Sequence, residues 1–475
     1  MNNNRFSAWL SVVGTSLALL VTAPASAAEL KTTVLNDGAA IAFGYNESVR
    51  EGNGYIHIAV LGTPSSDPQN ESLRDVYYML INGSGDVLID ATKVSATTGR
   101  WGRPHIALTS ERKAVITWNG NSDGRIHYAY VNPRLDPRNG GPADPAVILE
   151  VEDTVIGTDT NNGHNSLVVD GNDVAHVFKS TKGSGLFYLS FLPNDGAGAP
   201  DIVTPEVNVA PTTCCGQDPV VALDSNGNLH VLFRWDDPVD GLGPVAYLML
   251  DGTDGSVMID ATPLYDATAT LQHASHYSIA VDDDGQVHAV YGDKRFTIDA
   301  DSWCNTCQIG GHMFYARLDP SAAAQDGSAS DMATLRVGDE TQIWGYWYSK
   351  AFMNSSGSLD VFGTTGGDDS DSRTMTYVRV TPNATGATVG NPRVFSANVL
   401  GPGWSKHFVS KAGNAVIWSA GHFSVPFSQP LYPLVMAPLS RFTGGGGGGG
   451  GGTFAPAGLG ILLLAGLARL LAPAR

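Results

Sequence analysis

The chain has 475 residues, 43% of them hydrophobic, and 28 Lys and Arg set against 46 Asp and Glu give it a formal net charge of −18. That length suffices for one large domain or several ordinary ones. The acidic balance disfavours nucleic acid and anionic membrane surfaces as partners.

The first 28 residues hold one basic residue, Arg5, an apolar run from Ala8 to Ala23, and the small-residue stretch Ala25-Ser26-Ala27-Ala28. This is the pattern of a secretory signal peptide cut after Ala27 or Ala28; the run is too short for a bilayer span. Export is therefore expected for the rest of the chain. Residues 29–443 carry 25 basic and 46 acidic residues, a net of −21.

After a single strand-like stretch, ELKTTVLND (29–37), a unit begins to repeat. VVALDSNGNLHVLFRW (220–235) reads as an apolar strand, an Asp-Ser-Asn-Gly turn and an alternating second strand. Similar segments lie at 41–60, 105–118, 166–178, 277–291, 350–363 and 406–418. Aligned on His57, Val115, Ala175, His230, His288, Asp360 and Val416, they are spaced by 58, 60, 55, 58, 72 and 56 residues. A third strand follows in each unit (VYYMLI, IHYAYV, VAYLML and their kin). In six units a fourth comes after it, as in VLIDATKV, AVILEVED, IVTPEVNV and PRVFSANV. Seven units of four short strands predict an all-β fold, a seven-bladed β-propeller. The last unit stops after three strands, so the N-terminal strand is expected to supply the fourth and close the ring. His57, His230 and His288 share one repeat position and read as packing residues rather than a site.

In this architecture the loops leading into first strands and those leaving second strands open on one face, around a central channel. The first set brings Arg103, His105, Asn161, His164, Asn165, Gln217, Asp218, His273, His276, Tyr277, Trp344, Trp347, Tyr348, Lys350, Trp404, Lys406 and His407 there; the second adds Lys179, Arg234, Trp235, Lys294, Arg295 and His422. A strongly acidic protein thus gathers Arg, Lys, His and aromatics on one face. Aromatic faces bind sugars, and cations bind uronate or sulfate groups. Eliminative cleavage of a uronate needs a neutralised carboxylate, a base for the α proton and a proton donor for the leaving oxygen. The same face also suits a binding scaffold without chemistry.

The propeller pattern resembles the BNR-repeat families. The Ser-x-Asp-x-Gly-x-Thr-Trp boxes of sialidases are missing and no Arg-Ile-Pro segment stands out, which argues against conventional sialidase activity. A looser similarity is to seven-bladed propellers that include the ulvan lyases, where a His-Asn opens one blade and an Arg ends the next blade's second strand. His164-Asn165 and Arg234 match those positions. Asp218-Pro219 stands where that family has Tyr-Pro, and the second histidine expected about twenty residues after His164 is missing. The resemblance therefore implies His164 and Arg234 as catalytic, with His276 and Tyr277 supplying the missing groups. Arg103, His105, Asn165, Asp218, Trp347, Tyr348, Lys350, Trp404, Lys406 and His407 are the expected ligand-binding set. Hydrolysis would instead call for two carboxylates; Asp218, Asp236, Asp237 and Asp368 to Asp371 are loose candidates.

Cys214 and Cys215 lead into the fourth unit, and Cys304 and Cys307 lie in the long insertion of the fifth, close in sequence to His312. Export favours disulfides among these four, over zinc held by the Cys-x2-Cys, His312 and a ligand from the other loop, or free thiols. The Asp-rich runs at 282–285 and 251–255 lack the remaining ligands of a calcium loop and read as turn chemistry. No cofactor or metal is expected.

At the far end, nine glycines (444–452) precede a short apolar segment with Arg469 and Arg475 (453–475). The tail resembles the GlyGly-CTERM sorting signal of Gram-negative bacteria, which implies a transient membrane anchor released by a rhomboid-type protease. The expectation is an exported, surface or extracellular propeller, a monomer, that binds a polysaccharide or glycoconjugate. If it is an enzyme, a polysaccharide lyase is favoured over a glycoside hydrolase; the alternative is a non-catalytic adhesion or protein-interaction module.

Overall fold

One local rule recurs along the chain. Where a first strand ends, a residue six positions later sits in the second strand, and the residue halfway between them adopts a left-handed backbone. The turn-opening residues are Glu51, Thr109, Asp170, Asp224, Asp282, Asn354 and Ser410. The left-handed positions are Gly54, Arg112, Asp173, Gly227, Gly285, Gly357 and Gly413, with φ between 60° and 97°. In the first six, the left-handed residue donates its N–H to the carbonyl that opens the turn, at 2.8–3.2 Å. Glycine takes this conformation without cost, whereas Arg112 and Asp173 hold it against their own Cβ. Four of the opening side chains add an Asx turn: Asp224 Oδ1 accepts from Asn226 and Asn228 N–H, both at 2.8 Å, and Asp170, Asp282 and Asn354 do the same. The aspartates of 282–285 are thus turn chemistry, as the sequence suggests.

The positions six residues after the turn openers are His57, Val115, His176, His230, His288, Asp360 and Val416. The alignment on Ala175 is therefore one residue out, and the spacings become 58, 61, 54, 58, 72 and 56. Each of the four histidines is at most 1% exposed. Its Nδ1 meets a tyrosine hydroxyl of the third strand (Tyr78, Tyr188, Tyr247, Tyr315) at 2.8–3.0 Å. Its Nε2 faces the turn-opening carboxylate at 2.7–3.7 Å. In the sixth unit Asp360 accepts from Tyr377 instead, at 2.7 Å. These are packing devices repeated from blade to blade.

A pH dependence follows from them. Burial holds His176, His230 and His288 below the usual histidine range, although the facing aspartates oppose it. An unfolded histidine takes up its proton near pH 6.5, so below that pH the unfolded state binds more protons and stability falls. His127 has the opposite sign: Asp153 and Asp123 outweigh its burial and raise it, so its contribution is present below about pH 6.5 and fades as pH rises through its folded pKa. His164 of blade three shares the sign of the first three, so with four rings against one the melting temperature should drop between pH 7.5 and 5.5. A calorimetric series that stayed flat or rose over that range would contradict this assignment.

In this computed structural model the residues described are 33–36, 40–67, 70–96, 103–120, 123–136, 140–160, 163–181, 185–194, 200–210, 219–235, 245–264, 273–294, 311–320, 333–337, 350–365, 374–384, 386–391, 393–395, 406–421 and 434–443. They form seven antiparallel sheets. Blade one, from inner to outer strand, is Ile41–Arg50, Ile56–Pro64, Asp75–Ile81 and Val87–Lys93. Blade two is His105–Leu108, Ala114–Asn119, Ile126–Val131 and Leu149–Val155. Its outer strand starts later than AVILEVED suggests, because Asp144 caps a helical turn, Pro145–Ile148, just before it. Blade three is Gly163–Val169, Ala175–Thr181, Gly185–Leu192 and Asp201–Asn208. Blade four is Val220–Leu223, Asn228–Arg234, Val245–Asp251 and Val257–Pro263. Blade five is His273–Val281, Val287–Lys294, Gly311–Leu318 and Ala333–Val337.

Blade six, with Lys350–Met353, Leu359–Thr365 and Thr374–Asn383, has its outer strand in two pieces. Gly386–Val389 pairs with one end of the third strand and Arg393–Phe395 with the other. Only the second piece falls within PRVFSANV. Gly390, Asn391 and Pro392 separate the two pieces, and Pro392 lies outside the described residues. Blade seven is Lys406–Ala412, Ala415–Gly421 and Leu434–Pro438, and Thr33–Asn36 pairs antiparallel with the last of these, Thr33 opposite Met436. The N-terminal strand closes the ring.

The core is divided among the seams between blades. Among the described residues seven apolar clusters occur, one at each of the seven seams of a closed ring. An open row of seven blades would have only six. At the closing seam Leu35, Phe43, Ile58 and Met79 pack on Ile417 and Met436. Between blades six and seven, Phe442 from the short helix Leu439–Thr443 stands edge-on to Phe362 and Trp418.

Candidate functional site

The channel mouth is where first strands begin and second strands end. In the inner strand of blade three the side chains alternate. Ser166 faces blade four, its Oγ accepting from Val221 N–H at 3.2 Å, and His164 shares that face. Asn165 turns to blade two. Its Oδ1 accepts from Thr117 Oγ1 at 2.9 Å, and its Nδ2 donates to Asn119 Oδ1 at 2.8 Å and to the Arg103 carbonyl at 3.3 Å. Asn165 is 1% exposed, so it holds the backbone of Arg103 in place.

Blade one reaches the same spot through a bulge. Phe43 pairs with Gly62 and Asn46 with Val60, so Gly44 and Tyr45 oppose Leu61 alone. A bulge of this kind re-aims the side chains beyond it. The Tyr45 ring lies 4.5 Å beneath the Arg103 guanidinium, a cation–π contact. Two residues on, Glu47 Oε2 meets His105 Nδ1 at 2.5 Å. Burial alone would raise the Glu47 carboxyl, but the His105 contact and the charge of Lys350 outweigh it and hold it below the usual range. Glu47 of blade one and Lys350 of blade six therefore act on each other across the blade between them.

His164 is the most perturbed group here. It is 3% exposed, and burial, followed by the guanidinium charges of Arg103 and Arg234 and by its neighbour His105, holds it well below the usual histidine range. The ring is neutral at physiological pH and flanked by guanidinium groups from two blades. Such a pair can neutralise a carboxylate or sulfate.

The structure thus brings together Arg103, His105, His164, Asn165, Arg234 and Lys350 from the expected set. Tyr277 is 3% exposed and packs in the apolar cluster between blades four and five. His276 is the extra residue of a bulge, between the pairs Ser275 with Gly292 and Tyr277 with Tyr291. Lys406 and His407 open the inner strand of blade seven, opposite Gly421 and Ala420. Asp218, Trp347, Tyr348, Trp404 and the four cysteines lie outside the described residues, as do the expected signal peptide, 1–28, and the glycine-rich stretch and apolar segment, 444–475.

Lys179, expected on the rim, has a different role, and other residues join the site unannounced. Lys179 is wholly buried. Its Nζ donates to Gly124 O at 2.6 Å and to Asp159 O at 2.8 Å, and pairs with Asp159 Oδ2 at 2.8 Å. It clasps the loop leaving blade two's second strand to the loop entering blade three, and burial lowers its pKa despite Asp159. His127, stacked on Trp118, lies between Asp153 at 2.5 Å and Asp123 at 3.2 Å. Asn119 holds the position in blade two that Arg234 holds in blade four, and Asp123 follows in the same loop, a signal available in the sequence. Glu47 had none, because its place depends on the bulge.

No family model matches this chain, and no curated protein matches it in sequence. Solved structures do match. The BP39L lectin from Burkholderia pseudomallei aligns over 85% of this chain and 97% of its own, with a TM-score of 0.53 and 10% identity. Polysaccharide lyase Uly1 aligns over 89% and 94%, with a TM-score of 0.47 and 8% identity. An α-L-arabinanase from Penicillium chrysogenum covers 72% and 94%, with a TM-score of 0.43 and 10% identity. The first of these likenesses supports the propeller fold, and the fold alone.

Proposed function

We propose that this protein is an exported propeller that binds an acidic polysaccharide or glycoconjugate at the channel mouth and cleaves a uronate linkage in it by β-elimination. The observation that carries this reading is His164, kept neutral between Arg103 and Arg234 in a protein whose overall charge is strongly negative. The two arginines suit a carboxylate, the depressed His164 reports how strongly cationic their surroundings are, and histidine at such a site suits proton transfer. The ulvan-lyase resemblance would add His276 and Tyr277, but Tyr277 packs in the apolar core between blades four and five, so His276 alone of that pair stays in the proposal. Export, and a transient anchor in 444–475 cut by a rhomboid-type protease, belong to the same proposal. The burial of His164 favours a second reading, binding without cleavage, in which the face serves adhesion.

Purified protein incubated with polygalacturonate, alginate, chondroitin sulfate and ulvan separates these. Ultraviolet absorbance of a conjugated uronate double bond is the result expected. New reducing ends without absorbance would mean hydrolysis. Retained binding with neither signal would leave the adhesion reading.

A further inference from the structure

Five described histidines use both ring nitrogens in fixed contacts. His57, His176, His230 and His288 each set one nitrogen against a carboxylate and the other against a tyrosine hydroxyl, and His127 lies between two aspartates. All five are at most 5% exposed. Rings so buried and so held are out of reach of a ligand. His105 differs on each count. It gives only Nδ1 to a carboxylate, Glu47 Oε2 at 2.5 Å; no described residue is bonded to Nε2; and the two side chains are 15% and 36% exposed.

We propose that His105 is the catalytic base of the elimination and Glu47 its positioning residue, a step that rests on the lyase reading of this site. A carboxylate at Nδ1 fixes the tautomer with the proton on that nitrogen and leaves Nε2 as the basic position. It also stabilises the imidazolium when Nε2 takes a proton. Glu47 is suited to this because His105 and Lys350 keep it ionised. His164, better buried, then serves the electrostatics of the arginine pair rather than the proton.

The step balances within the substrate. With the uronate carboxylate between Arg103 and Arg234, Nε2 of neutral His105 takes the proton from the carbon α to that carboxylate. The C–H electron pair becomes a carbon–carbon double bond as the bond from the β carbon to the glycosidic oxygen breaks. The departing oxygen takes the proton back from the imidazolium. One chain becomes two, one ending in an unsaturated uronate and the other in a new hydroxyl, with no second reactant consumed.

The test uses the full chain on polygalacturonate, alginate, chondroitin sulfate and ulvan, read by ultraviolet absorbance. With active wild-type protein, His105→Ala should lower kcat by roughly 1,000-fold; His105→Gln, which keeps an amide against Glu47, serves if the alanine variant fails to fold. Glu47→Gln should lower kcat by about 100-fold with KM nearly unchanged, and should move the acid limb of the kcat profile to lower pH, because the imidazolium loses its counter-charge. Glu47→Asp should restore part of both. A merely structural Glu47 would leave that limb in place. Active wild type with an active His105→Ala, or with an unmoved limb in Glu47→Gln, would overturn the pair and leave elimination standing. Wild type silent on all four glycans would remove the elimination reading and the pair with it.

Discussion

Replacing Arg234 by alanine is expected to weaken binding of an acidic oligosaccharide by about 2–4 kcal/mol, roughly 30- to 1,000-fold, the usual cost of truncating one half of a charge-assisted pair. Titration calorimetry on whichever glycan the wild type binds gives the number. Arg234→Lys should recover only part of it, because an ammonium keeps the charge but loses the planar fork that matches a carboxylate. Arg103→Ala should behave alike, with a further loss as Tyr45 gives up its cation–π contact. Either change also removes a positive charge that depresses His164, so the ring's pKa should rise, a shift visible in its NMR titration. An unchanged affinity in both alanine variants would move the anion site away from this seam.

Lys179→Met should cost about 3–5 kcal/mol of stability, as breaking a buried pair from one side usually does. The methionine fills most of the volume but leaves the Asp159 carboxylate and the carbonyls of Gly124 and Asp159 without their common donor. Urea unfolding would show the loss as a lower midpoint at similar slope. The same variant should loosen ligand binding, since the two loops that Lys179 clasps flank the Asn119–Asn165 contact. A loss of less than about 1 kcal/mol, the level of an ordinary surface pair, would mean the clasp is dispensable.

The propeller was legible in the sequence because its signal is local and written seven times. Each copy carries two apolar strands and a turn with a polar opener, and even the closing strand shows as a spare stretch before the first copy. Registration failed where the local signal weakens. In blade three the left-handed turn position holds Asp173, and the turn's glycine, Gly171, stands two residues earlier, so the glycine no longer marks the turn's centre and the alignment on Ala175 misses His176 by one. Blade six hides its divided outer strand, because two short pairings with opposite ends of one long strand leave no continuous alternation to read.

Of the site, the cationic members were legible as residue types at repeated loop positions: Arg103, His105, His164, Arg234 and Lys350. What holds them was not. Glu47 reaches His105 only through a bulge, and Asn165 reads equally well as a ligand contact until its three hydrogen bonds are seen. Lys179 looked like one more basic residue on the rim, yet it is buried with all its donors engaged. Repetition in sequence reports the shared frame. The residues that set one blade apart from its neighbours depend on contacts between copies, which no single copy encodes.

The pairing of Thr33–Asn36 with Leu434–Pro438 also sets an order of events. Asn36 and Leu434 are partners 398 positions apart, so the first strand to be synthesised is the last to find its place. Until residue 438 has been made, blade seven lacks both its third strand and the means to capture its fourth. A nascent chain must therefore carry its opening strand unpaired through the assembly of six blades, and only completion of the seventh withdraws that edge from chance partners.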